Sequence, residues 1–317
     1  MYTSLVNASD SWQLFNHQGI LYYRYIASSE PISGIENHVA AIGKSGNLHL
    51  LLTMQEEYPI YTYWNDNQWK SQKLPLKGHI LGFSLDSQEQ PHILIKQENK
   101  LEIQHIFLIN SDWQKQNLPL NPSQSPILFK PLPQGKLLII SYSDTESPDV
   151  LITIYSSTEG WMNPVKIPIE YSVLKIFAYW YLNYIYFLLW TNVGNTKRIQ
   201  LIIVDYEKMS QNSFYLGETN ELPDTKPVLL GEKENCLFIW TNSNNLSFCL
   251  SQDNNKTWLT KQNTYMFYPA QIKTIKAPLG PSTTQVAFTK VSGLELTWPL
   301  IVDLKPILAL CKATLSE

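Results

Sequence analysis

Asn47-Leu-His-Leu-Leu-Leu52, then the alternating run Pro59-Ile-Tyr-Thr-Tyr-Trp64, a short polar turn and Trp69: this stretch decides how the chain folds. The same order returns as Pro91-His-Ile-Leu-Ile95, Leu101-Glu-Ile-Gln-His-Ile106, Asn110-Ser-Asp112 and Trp113. It returns again as Lys136-Leu-Leu-Ile-Ile140, Val150-Leu-Ile-Thr-Ile-Tyr155, Ser157-Thr-Glu-Gly160 and Trp161. A period of about 46 residues signals stacked or radially arranged units.

Outward from this stretch, the alternating third run begins at Ile20, Pro59, Leu101, Val150, Ile199, Leu246 and Leu294. A shorter apolar run precedes each, beginning at Trp12, Leu48, His92, Leu137, Ile185, Cys236 and Val286. Earlier still come runs at His38, His79, Pro126, Val173, Pro227 and Gln271, and the last run of a unit holds Trp69, Trp113, Trp161, Phe214 or Trp258. Runs of four to nine residues, rich in β-branched and aromatic types and bounded by turn residues, read as strands. No segment sustains apolar residues at helical spacing; the 171–190 stretch divides at Asn183.

Four antiparallel strands per unit, repeated, predict an all-β β-propeller with seven four-stranded blades. The approximate blades are 1–36, 37–76, 77–121, 122–170, 171–222, 223–268 and 269–317, in a single domain. The first unit is short, so six blades plus an N-terminal addition is the alternative. Tandem β-sandwiches fit less well, because they predict one boundary rather than a regular period. The inner two strands of each blade should be buried on both faces, the third should alternate, and the outermost should be amphipathic. The segments 1–15 and 306–315 are expected to share a closing blade.

The 317 residues are 44% hydrophobic and 12% aromatic, enough for a large core, while charged residues reach only 16%. The net charge of −3 and the lack of a basic block argue against a nucleic-acid partner. The start of the chain lacks the basic and apolar regions of a secretory signal. The longest apolar stretch, 176–190, is too short and too polar to span a bilayer. No membrane insertion and a cytoplasmic location are therefore expected. Cys236, Cys249 and Cys311 show no CxxC pattern and read as small core residues.

Ser251-Gln-Asp253-Asn-Asn255-Lys-Thr257-Trp258 stands between the third and fourth strands of the sixth unit. It resembles the Asp box, S-x-D-x-G-x-T-W, of the sialidase-like BNR-repeat propellers, in the place where that family carries it. Ser251, Asp253, Thr257 and Trp258 match; Asn255 replaces the glycine, a mild change because asparagine tolerates the left-handed conformation. Vestiges stand at Asn65-Asp-Asn-Gln-Trp69, Asn110-Ser-Asp-Trp113 and Ser156-Ser-Thr-Glu-Gly-Trp161. The resemblance implies a structural role: the Asp accepts hydrogen bonds within the hairpin and the Trp packs between strands. Trp69, Trp113 and Trp161 read as core or inter-blade wedges, with a sugar-stacking platform as the alternative.

The resemblance also raises sialidase activity, and the composition removes it. That family binds the substrate carboxylate with three arginines, whose planar forks give bidentate contacts. This chain has Arg24 and Arg198 alone. Other glycoside hydrolysis needs two facing carboxylates; Glu56, Glu57, Asp144, Glu146, Asp149 and Asp224 lie in loops with nothing to pair them. His38 and His79 recur at the start of the first strand in consecutive units, and His49 and His92 match each other in the second. Repeat ancestry, with each ring bonded to a neighbouring blade, accounts for both pairs; the functional reading places His38 and His79 at the channel mouth. No metal spacing, phosphate loop or nucleophile elbow is visible.

The sequence thus predicts a non-catalytic binding or scaffold propeller that recognises a protein or glycan partner through one face. Its ligand-binding candidates are His38, His79 and Tyr171 in or beside the loops before the first strands, with Glu57 and Asp144 between second and third strands. No cofactor or metal is expected. The alternative is a carbohydrate-active propeller, lectin or glycoside hydrolase-like, that is not a sialidase; a purely structural component is a third reading.

Overall fold

A sheet-forming chain must pair its backbone groups strand by strand, and here it does so almost entirely with its nearest neighbours in sequence. The computed structural model describes residues 2–6, 12–17, 20–24, 35–43, 45–54, 58–65, 68–97, 102–120, 124–143, 149–169, 172–224, 226–232, 235–242, 245–265, 271–274, 285–289, 291–292, 295–296 and 300–303, with side chains only between 35 and 262. The chain divides into two compact units, 1–170 with 276–279 and 171–275 with 280–317.

In the first unit, β1 (Tyr2–Val6), β2 (Trp12–His17) and β3 (Ile20–Arg24) form a first sheet. The second is β4 (Ile35–Ile42), β5 (Leu48–Met54), β6 (Ile60–Asn65) and β7 (Gln68–Lys73). The third is β8 (His79–Leu85), β9 (Pro91–Lys96), β10 (Ile103–Ile109) and β11 (Asp112–Asn117). The fourth is β12 (Gln124–Pro131), β13 (Leu137–Ser143) and β14 (Asp149–Ser156), with β15 (Gly160–Trp161) and β16 (Val165–Pro168) sharing the outer edge of β14.

In the second unit, β17 (Val173–Tyr181), β18 (Tyr184–Val193), β19 (Thr196–Asp205) and β20 (Ser210–Thr219) form the fifth sheet. The sixth is β21 (Val228–Glu232), β22 (Asn235–Asn242), β23 (Asn245–Ser251) and β24 (Leu259–Tyr265). The seventh is β25 (Gln271–Thr274), β26 (Gln285–Thr289) and β29 (Leu300–Asp303), beside a hairpin of β27 (Val291–Ser292) and β28 (Glu295–Leu296). All pairings are antiparallel, and strand order follows chain order.

The second strands are buried throughout: Leu48, Leu50 and Leu51, Ile93 to Ile95, Leu137 to Ile140, and Ile185 to Trp190 have essentially no exposed surface. Third strands vary: they are nearly as buried at Ile103 to Ile106, Leu201 to Val204 and Phe248 to Leu250, mostly half-buried in β6, and partly alternating in β14. First strands are mixed; Glu36 and Asn37 in β4 and His79 in β8 are exposed. The mixed first strands correct the expectation that the inner two strands would both be buried, and the expected alternation of the third appears in part of β14 but not in β10. Fourth strands are amphipathic, with Trp69 half-buried after exposed Gln68 and Trp113 half-buried between exposed Asp112 and Gln114.

A second correction falls in the seventh sheet. Its third strand is Leu300–Asp303, paired to β26, rather than a run from Leu294. Pro299 cannot donate to a ladder, so pairing can resume only after it. Residues 306–315, expected to close a blade, lie outside the described residues. The 171–190 stretch does divide, with Leu182-Asn183 turning between β17 and β18.

Apolar clusters fill the space between successive sheets of a unit. Leu51, Tyr61, Phe83, Ile93 and Ile106 pack together from the second and third, with Trp113 against them. Leu94, Ile103 and Ile139 join the third and fourth, with Trp161 added. Leu188, Trp190, Leu201, Phe238 and Trp240 join the fifth and sixth, with Trp258 added. The tryptophan after the third strand therefore wedges against the preceding sheet in each of these pairs. Cys236 and Cys249 are buried and unbridged in the last cluster; Cys311 lies outside the described residues.

Candidate functional site

Two histidines of matching position organise the polar interior of the first unit. His49 is the second residue of β5, and its Nδ1 lies 2.7 Å from the Tyr61 hydroxyl on β6. Its Nε2 faces Glu89 Oε2 at 3.8 Å, too long for a hydrogen bond. His92 is the second residue of β9, and its Nδ1 lies 2.9 Å from His105 Nε2 on β10. Its Nε2 faces Asp86 Oδ2 at 3.6 Å. Each histidine thus has a third-strand partner on one nitrogen and a carboxylate on the other. Both carboxylates come from one turn, 86–90, between β8 and β9.

That turn is built by its own acid. Asp86 Oδ1 accepts from the Gln88 and Gln90 amides, both at 2.8 Å, an Asx arrangement that folds the backbone locally. Glu89 adopts a left-handed φ of 62°, uncommon for a residue with a long side chain. This directs it to the neighbouring sheet, where Ser45 donates its amide to Oε1 at 2.6 Å and its hydroxyl to Oε2 at 2.7 Å.

The chain through the third sheet has a consistent proton order. The Gln116 amide nitrogen lies 3.1 Å from His105 Nδ1 and can only donate. His105 then carries its proton on Nε2 and donates to His92 Nδ1, and His92 Nε2–H points at Asp86. Each ring needs one proton, so both are satisfied when neutral. Burial holds His105 well below the usual imidazole range, helped by His92 beside it. Burial likewise lowers His49 to about 4, against the opposing pull of Glu89. Burial alone would raise the Asp86 carboxyl, but the His92 ring and the two backbone amides outweigh it and bring it down. Tyr61 is raised, by burial and by Tyr63 and Glu89. A neutral, enclosed imidazole beside a tyrosine that stays protonated is poorly placed for acid–base work on a substrate.

In the second unit, the 251–258 turn is closed by Asp253. Its Oδ1 accepts from the Ser251 hydroxyl at 3.0 Å and from the Lys256 and Thr257 amides at 3.1 and 2.9 Å. Its Oδ2 accepts from the Thr257 hydroxyl at 2.6 Å. These bonds, led by those from Thr257, hold the carboxyl at about 2. Asn255 sits at φ 68° and its Nδ2 donates to the Tyr186 hydroxyl at 2.9 Å, fastening the turn to the fifth sheet. Trp258 packs against Phe238 at 5.8 Å and Tyr186 at 6.5 Å between ring centroids.

His38 and His79 do not occupy the same place. His38 pairs with Leu52, three residues beyond His49; His79 pairs with Lys96, four beyond His92. One register step turns a side chain to the other face, so His38 is buried and His79 exposed. Tyr171, Glu57 and Asp144 lie outside the described residues. The residues that do converge with a histidine are Glu89, Asp86, Tyr61, His105 and Gln116, and Ser45 holds Glu89 in place. The matching His49 and His92 pointed to them, but the carboxylates could not be read off because each depends on how a turn folds. No metal-holding group of three or more His, Cys, Asp or Glu occurs among the described residues. No helix among them is long and apolar enough to cross a membrane.

No family model and no curated protein matches the chain. Solved structures do. A Hadza microbial sialidase covers 90% of this chain and 74% of its own, at 9% identity and a TM-score of 0.51. The Nup133 β-propeller domain of Vanderwaltozyma polyspora covers 90% of both, at 12% identity and 0.56. The WD40 domain of SCAP from fission yeast covers 91% of this chain and 80% of its own, at 10% identity and 0.51. At such identities the likeness establishes the fold alone: the chain is an all-β protein with a sialidase-like β-propeller fold.

Proposed function

We propose that this propeller is a non-catalytic binding or scaffold module that recognises a protein or glycan partner. The partner meets the sheet ends that carry the loops before each first strand and between second and third strands. The observation that carries this reading is the placement of the titratable groups. Among the described residues His49 is hydrogen-bonded to Tyr61 and His92 to His105, the Glu89 and Asp86 carboxylates face their rings, and burial keeps His49 and His105 neutral. The two-arginine composition also leaves no three-arginine carboxylate clamp. The 251–258 turn is taken as a degenerate Asp box with a structural role, the chain as one domain, and its location as cytoplasmic.

His79 is the exposed candidate at the chosen end. Replacing it with alanine should leave the melting temperature unchanged and weaken recognition on a combined glycan and peptide array. Undiminished binding by His79→Ala would move the contact elsewhere. The competing reading, a carbohydrate-active propeller other than a sialidase, predicts products: release of new reducing ends from an arrayed oligosaccharide would favour it.

A further inference from the structure

Between β4 and β5, Gly43 and residues 45–47 hold a carboxylate as a receptor would. Gly43 donates its amide to the Asn47 carbonyl at 2.9 Å, and Gly46 donates to the Gly43 carbonyl at 3.1 Å from a left-handed φ of 85°. This leaves the Ser45 amide and hydroxyl pointing outward, and Glu89 takes both, one oxygen each. The spacing matches a planar carboxylate fork. A Cβ at Gly43 would collide with that carboxylate, so glycine there keeps the space open. The floor is His49 Nε2: the side chain is 5% exposed, and this nitrogen has no hydrogen-bond partner while it faces the carboxylate at 3.8 Å. Buried polar atoms ordinarily find partners, so an unpartnered nitrogen aimed into the fork marks a site that its occupant fills imperfectly.

The occupant is also held at some expense. Glu89 reaches the turn from a left-handed backbone position, which residues with a Cβ adopt at a cost, and its side chain keeps 20% of its surface in solvent. We propose that Gly43 and residues 45–47, completed by His49, form a carboxylate-binding site that Glu89 fills as a tethered ligand and that an acidic side chain of a peptide partner can claim. The peptide class follows from the occupant, which is itself a glutamate side chain. The site lies at the end of the second sheet opposite the β5–β6 loop, so it stands or falls separately from the face proposed above.

Glu89→Gly empties the site and relieves the left-handed backbone. The probes are acetate, N-acetylglutamate amide and glucuronate, each at matched ionic strength against chloride, followed by the Ser45 amide and His49 ring resonances. In Glu89→Gly both resonances should shift saturably with acetate. Wild type should need about tenfold more acetate, because a tethered group competes at high effective concentration. Adding Ser45→Ala or Gly43→Ala to Glu89→Gly should remove the response, the first by deleting a donor and the second by filling the space. Should Glu89→Gly not fold, Glu89→Gln keeps the volume without the charge and should respond at acetate levels below those of wild type. A response no different from chloride, or one that survives Ser45→Ala and Gly43→Ala, overturns the site. Glucuronate binding more tightly than N-acetylglutamate amide overturns the peptide assignment.

Discussion

Asn255 shows how a side chain at a left-handed turn position can gain a contact between sheets. Glycine at that position would meet the left-handed φ of 68° without strain, but it could not reach Tyr186. Asn255→Gly should therefore keep the turn and lose the link to the fifth sheet, destabilising by about 1 kcal/mol, the net worth of a typical hydrogen bond. Asn255→Ala should cost more, because it adds left-handed strain. Thermal melts of both variants check this; a glycine variant at least as stable as wild type would remove the Tyr186 link as a stabilising contact.

His49 gives a pH prediction with a definite sign. Its ring ionises near 6.5 when unfolded and at about 4 when folded, so the unfolded chain binds the extra proton first. Stability is then complete above pH 6.5 and declines as pH falls towards about 4, by about 3 kcal/mol. Urea unfolding at stepped pH should show this decline, and His49→Gln should flatten it by one proton's slope. Asp253 acts lower: its carboxyl at about 2 stabilises above the unfolded value and loses that contribution as pH falls from about 4 to about 2. The two groups differed in legibility. The bonds of Asp253 all lie within 251–257, so the sequence already implied them, whereas Glu89 meets His49 only after two sheets have paired and a turn has taken a left-handed residue.

At the scale of elements, periodicity exposed what is buried and missed what is at an edge. The continuous runs at Leu48, His92, Leu137, Ile185 and Cys236 are second strands with a partner on each side. Leu50, fully buried in β5, should cost about 2–5 kcal/mol as Leu50→Ala, read from denaturant midpoints. First strands are edges, where exposed and buried positions mix, so their register could not be fixed from hydrophobicity, and His38 and His79 came apart by one step. The hairpin between β17 and β18 carries another local cost. Leu182 takes a φ of 52° with its side chain 42% exposed. Leu182→Gly should raise the melting temperature by relieving that backbone; a fall would show that the leucine contributes a contact worth more than the strain.

At the scale of the molecule, repetition carries the fold and says little of the task. The four-strand unit, the wedged tryptophans and the sialidase-like propeller fold are consistent with one another, and a propeller fold hosts unrelated functions. What distinguishes this chain is chemical: two arginines in the whole sequence and buried histidines engaged with partners inside the sheets. Function here is best tested by following what happens to a bound ligand. Oligosaccharides and peptides captured by the purified protein can be weighed by mass spectrometry before and after prolonged incubation. A non-catalytic propeller should give saturable capture with every ligand recovered at its original mass; recovery of shortened glycans, proportional to protein and time, would show instead that it cleaves them.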